Sequence, residues 1–112
     1  MPDNQISLIV EDTRKRVSTL FPGKQVDAIL FGSYARGDAD SDSDVDVLLL
    51  VDAPREQIAE RNWQLGKIAS DLFLDYDLIV SPIVENRSFY QSRIHMLPFY
   101  NNIHREGVSF RA

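Results

Sequence analysis

Apolar residues recur at Ile6, Ile9, Val10, Val17, Leu20 and Phe21, the spacing of one helical face. The pattern predicts a helix opened by Asp3 or Asn4 as N-cap and ended at Pro22-Gly23. Gln25 to Phe31 then reads as a strand, broken by Gly32-Ser33 into a short turn with a single helical turn through Arg36. Asp38 to Ser43 is polar and loop-like. Asp44 to Val51 alternates at first and then becomes continuously apolar, as a strand does when it enters the middle of a covered sheet. Pro54 suits the first turn of a helix whose buried stripe is Ile58, Leu65, Ile68, Ala69 and Leu72, with Trp63 toward one edge. Gly66 weakens that helix slightly or admits a close neighbour. Asp75 to Val80 reads as a third strand stopped by Ser81-Pro82. Leu97 to Glu106 reads as a helix stopped by Gly107, and Val108 to Phe110 as a short edge strand. This order predicts an α/β fold in which helices pack on a small mixed sheet. No repeat, low-complexity linker or boundary divides the 112 residues, so one domain spanning residues 1–112 is expected.

Composition narrows the chemistry. The chain is 44% hydrophobic and 26% charged, and its longest apolar run, Val47 to Val51, is far short of the roughly 20 residues of a membrane span. Asp3 stands where a secretion signal would need basic residues, so a cytoplasmic protein with no membrane partner is expected. The absence of cysteine excludes disulfides, thiolate zinc sites and cysteine nucleophiles. With two histidines in the chain, any metal is expected to be held by oxygen, which favours Mg²⁺ or Mn²⁺. A net charge of -5 argues against direct grip on a nucleic-acid backbone. Much of that charge lies in Asp38, Asp40, Asp42, Asp44 and Asp46, a cluster that should accept nucleotide phosphates only with cations bound.

Within this cluster Asp44 and Asp46 share one face of their strand, about 6.6 Å apart along it, while Val45 and Val47 face the other way. Two carboxylates so placed can grip one metal or bridge two at the roughly 3.5–4 Å spacing of two-metal phosphoryl transfer. A third carboxylate is expected from the next strand. Asp77 precedes Leu78-Ile79-Val80 much as Asp46 precedes Val47-Leu48-Leu49, and Asp75 is the competing choice. In this reading Asp44 and Asp46 orient a triphosphate through metal, while Asp77 helps bind a second ion and activates the attacking hydroxyl. Gly32 lets the backbone approach the phosphates, Ser33 donates to them through its hydroxyl and N–H, and Arg36 adds a cationic contact. Asp38, Asp40 and Asp42 are read as solvating the loop. His95 and His104 lack a metal-like pattern, and Trp63, Phe73 and Tyr76 read as core or partner-facing rather than as a base-stacking platform.

Gly32-Ser33, ten residues, then Asp44-Val45-Asp46 resembles the signature of the minimal nucleotidyltransferases of the DNA polymerase β-like superfamily. Ala35-Arg36-Gly37 and the ending from Phe99 to Gly107 are similar to that family as well. The resemblance implies transfer of AMP from ATP onto a hydroxyl with Mg²⁺, two ions being expected, and release of pyrophosphate. It further implies a partner: small members of the family pair with a helical HEPN protein encoded nearby in type VII toxin–antitoxin systems. There an MntA-like antitoxin adds AMP to a tyrosine of the HEPN ribonuclease. Two alternatives stand beside this reading, an antitoxin or subunit that neutralises its HEPN partner by contact alone, and an enzyme that modifies a small molecule such as an aminoglycoside. The latter would need an acceptor pocket completed by a homo- or hetero-oligomer.

Overall fold

The computed structural model describes residues 3–111. Asp3 opens helix α1 (Asn4–Ser18), its carboxylate accepting from the Ile6 N–H at 2.8 Å and so satisfying one of the N–H groups that a helix start leaves without an acceptor. Strand β1 (Val26–Phe31) follows, then the single-turn helix α2 (Ser33–Arg36) and strand β2 (Val45–Val51). Helices α3 (Arg55–Arg61) and α4 (Leu65–Tyr76) lead to β3 (Val80–Asn86), α5 (Arg87–Arg93), α6 (Pro98–Glu106) and β4 (Val108–Phe110). The sheet order is β3-β2-β1-β4, with β1 antiparallel to β2 and β4, and β2 parallel to β3. This is the mixed sheet the pattern predicts.

Period-two alternation on β2 explains its apolar run. Val45, Val47, Leu49 and Val51 pack with Ile9, Val10 and Leu72 on the face covered by α1 and α4. Leu48 and Leu50 face the other way, into a second core with Tyr90, Ile94 and Ile103. Both faces of the strand are therefore dry. Each fully buried aliphatic side chain of this kind contributes about 1.5–3 kcal/mol relative to exposure, so the strand that carries the Asp pair is anchored from both sides. Among the described residues, no helix is long and apolar enough to cross a membrane.

Three expectations need correction. The helix expected after Pro54 is two, with Pro54 as the N-cap of α3 and residues 62–64 forming a tight 3₁₀ turn in which Trp63 is 79% exposed. Nothing packs against Gly66 closely enough to require glycine there. The third strand is displaced toward the C-terminus, because Asp75 and Tyr76 complete α4. The Tyr76 hydroxyl donates to Asp12 at 2.5 Å and Asp75 pairs with Arg16 at 2.5 Å, so contacts with α1 hold these residues helical. Pro82 does not stop β3 but lies within it, tolerated because β3 is an edge strand with one side free of ladder bonds. Helix α5 has no strong apolar stripe to announce it; Asn86 caps it by accepting from the Phe89 N–H at 2.8 Å.

Candidate active site

Leaving β1, the chain turns at Gly32, whose φ of 76° and ψ of -156° lie in a region that essentially only glycine occupies. Ser33 then starts α2, and Gly37, at φ 86°, closes it through an N–H bond to the Ser33 carbonyl at 2.9 Å. The loop that follows has structure of its own. The Asp40 carboxylate accepts from the Asp42 N–H at 2.9 Å, and the Asp40 N–H donates to the Ser43 hydroxyl at 3.0 Å. Asp40 thus shapes the turn that delivers Asp44 to the strand, a role beyond solvation.

Asp44 is exposed and directly precedes β2, while Asp46 lies within β2, half-buried between Phe31 of β1 and Ser81 of β3 in register. Burial is the main cause that raises the Asp46 pKa above its ordinary value; the nearby negative charge of Asp44 raises it further and Arg36 opposes the rise. A Cβ on Gly32 would collide with Oδ2 of Asp46, so the glycine is needed for close approach as well as for its backbone angles. Gly32, Ser33, Arg36 and Asp46 line one cleft of about 370 Å³ with Phe31 on the sheet side and α6 opposite.

The local sequence pattern marks α6 as a helix without marking it as a wall of the cleft. Phe99, Asn102, Ile103 and Glu106 all border the cleft. Their spacing, i, i+3, i+4, i+7, is that of one helical face and is the signal that could have found them. Phe99 is half exposed and meets the Phe31 ring edge-on at 5.7 Å. Glu106 engages Arg36 at 3.2 Å, and Asp38 engages the same guanidinium at 3.2 Å. Arg36 therefore borders the cleft and is held there by two carboxylates.

Asp77 is elsewhere. It is the C-cap of α4, exposed and left-handed at φ 56°, with its N–H bonded to the Phe73 carbonyl at 2.8 Å. Parallel pairing starts at Val45 with Val80, so the residue beside Asp46 is Ser81 and not an acid. Among the described residues, no group of three or more His, Asp or Glu side chains is placed to hold a metal ion. The structure brings Asp44 and Asp46 together but does not bring Asp77 to them, and Asp75 is engaged with Arg16.

The donor set fits a hard divalent cation nonetheless. Asp44 and Asp46 lie on one face of the strand, their like charges raise the cost of ionising Asp46, and a hydroxyl from Ser81 lies 3.4 Å from Asp44 Oδ2. All of these donors are oxygen, the preference of Mg²⁺ and Mn²⁺. A cation at the pair would offset their repulsion.

A family model described as "Nucleotidyltransferase domain" matches residues 10–104. The chain is 40% identical over 96 residues to "Putative protein adenylyltransferase MJ0141" of Methanocaldococcus jannaschii, covering 86% of this chain and 95% of that protein. It is 31% identical over 87 residues to "Putative protein adenylyltransferase MJ0604" of the same organism, covering 78% and 79% respectively. No solved structure matches the chain.

Proposed function

The chain belongs to the nucleotidyltransferase domain family and is an enzyme of nucleotidyl transfer, and on that premise we propose that it moves AMP from ATP, with Mg²⁺, onto a tyrosine of a helical HEPN-type partner as a type VII antitoxin does. The observation that carries the proposal is the convergence of the Gly32-Ser33 turn and Asp46 in one cleft, with Asp44 two residues away on the same strand face. The names of the two relatives support a protein as acceptor.

The residues divide the work. Gly32 leaves room for the Asp46 carboxylate against the backbone of the turn, and Ser33, at the cleft, offers its hydroxyl and N–H to a phosphate. Asp44 and Asp46 would hold the Mg²⁺, which when bound neutralises charge on the α-phosphoryl group. The acceptor hydroxyl gives up its proton to solvent as its oxygen bonds to the α-phosphorus, the bond from that phosphorus to the oxygen bridging to the β-phosphate breaks, and pyrophosphate leaves. Arg36 reaches the phosphates by giving up Glu106. Phe31 and Phe99 supply the apolar wall against which a planar group can lie.

A second reading, inhibition by contact, draws on Trp63 and Leu74, each 79% exposed. One experiment separates the two. With ATP labelled at the α-phosphate, Mg²⁺ and lysate of the source cells, wild type is expected to label a band that protease destroys and ribonuclease spares, while Asp46→Asn labels nothing. Label removed by nuclease would make RNA the acceptor. Equal protection of cells by wild type and Asp46→Asn would favour contact inhibition.

A further inference from the structure

Beside Asp46 on the neighbouring strand the register places a hydroxyl and not a third carboxylate. Ser81 pairs with Asp46 across the parallel β2–β3 ladder, so the two side chains lie on the same face of the sheet. Its Oγ donates to Oδ2 of Asp44 at 3.4 Å, a long hydrogen bond. The Val45 N–H, between the two aspartates, donates to the Ile79 carbonyl at 2.8 Å and fixes the start of β3 against the pair. Asp77, three residues before β3 and capping α4, is held by that cap in a left-handed turn away from this ladder.

We propose that Ser81 is a positioning residue for the cation site: its hydroxyl occupies one oxygen of Asp44 and so orients the carboxylate to share a divalent cation with Asp46. The inference rests on the nucleotidyl-transfer reading of the Asp44–Asp46 pair. A hydroxyl suits this place because it donates. A third acid would add a further negative charge beside the two carboxylates, whereas a donated hydrogen bond offsets part of the charge on Asp44. Hydrogen bonds of this kind to metal-binding carboxylates set ligand orientation, and their loss typically weakens metal affinity tenfold or more.

The test is Mn²⁺ binding to the full chain without nucleotide, read from the electron paramagnetic resonance of free Mn²⁺, for wild type, Asp46→Asn, Ser81→Ala, Ser81→Thr and Asp77→Asn. Asp46→Asn is expected to abolish binding and Ser81→Ala to weaken it roughly tenfold. Ser81→Thr, which keeps the hydroxyl, and Asp77→Asn, which keeps a residue suited to the left-handed turn, are expected to match wild type. Thermal unfolding of Ser81→Ala close to wild type keeps the loss from being one of folding. Wild-type affinity in Ser81→Ala together with loss in Asp46→Asn would overturn the role of Ser81 and leave the aspartate pair standing. Loss in Asp77→Asn with none in Ser81→Ala would return the third position to Asp77. Unchanged binding in Asp46→Asn would remove the cation from the pair, and Ser81 with it.

Discussion

Oδ2 of Asp46 occupies the space a side chain on Gly32 would need: an added Cβ would collide with that oxygen and lie 3.3 Å from Cγ. The Gly32 turn and the Asp46 carboxylate are thus parts of one packed unit across β1 and β2, where Phe31 pairs with Asp46. Gly32→Ala must both push Asp46 aside and place a non-glycine residue at φ 76°, ψ -156°. The expected cost is about 1–3 kcal/mol for the backbone, with nucleotide transfer lost far beyond what the lower stability explains. Urea unfolding beside ATP binding by the folded fraction checks this; a folded variant that binds ATP as wild type does would refute it.

Asp46 also sets a trade between stability and activity. Burial, and then Asp44, raise its folded pKa above the ordinary 3.8. Between the unfolded and folded values the folded chain binds more protons than the unfolded one, so this group's contribution to stability falls as pH rises through that window. At pH 7 the ionised carboxylate is a net liability without a cation. Asp46→Asn is expected to raise the unfolding midpoint at pH 7, to lose that gain below the unfolded pKa, and to abolish transfer at any pH. Mg²⁺ should raise the midpoint of wild type and not of the variant.

In the proposed mechanism Glu106 competes with phosphate for Arg36. The pair at 3.2 Å is solvent-accessible, and exposed pairs of this kind hold weakly and are screened by salt. Glu106→Gln is therefore expected to tighten ATP binding by up to about fivefold at low salt, with the gain shrinking as salt is added. Isothermal titration at two ionic strengths tests it, and weaker binding in the variant would give Glu106 a role in holding the nucleotide.

The cleft wall depends on a buried clasp behind it. Glu85 is 6% exposed and accepts from Tyr100 at 2.8 Å, from Arg55 at 3.2 Å and from its neighbour's backbone, the Asn86 N–H, at 2.7 Å. Burial, and then Glu85, push the Tyr100 pKa up to about 12. The phenol's stabilising contribution is complete below the unfolded value near 10 and is lost as pH rises from there through about 12. Tyr100→Phe should cost about 1–2 kcal/mol at pH 7 and remove this alkaline phase. Unfolding curves of both proteins from pH 7 to 12 measure the difference; an unchanged alkaline phase in the variant would mean that Tyr100 does not carry it.

The elements that were legible are those whose pattern is local. The α1 stripe, its Asp3 cap, the double-faced β2, the Gly107 stop and the short β4 all follow from periodicity, capping chemistry and turn residues within a few positions. The Gly32-Ser33 turn and the Asp44–Asp46 pair were legible for the same reason, since φ preference and strand alternation place them without knowledge of the rest. The wall of the cleft was readable as a helix, but not as a wall.

What the sequence determined by itself is therefore an α/β chain carrying a glycine–serine turn and an acidic pair at fixed spacing. The tertiary structure decided which residues meet that pair. Asp75-Tyr76-Asp77 has a strand-like local pattern, yet Arg16 and Asp12 of α1 hold Asp75 and Tyr76 in helix, moving β3 along until Ser81, not Asp77, lies beside Asp46. Likewise Glu106 meets Arg36 across 70 residues of chain. Such pairings depend on register and on side chains from distant elements, and no local periodicity encodes them.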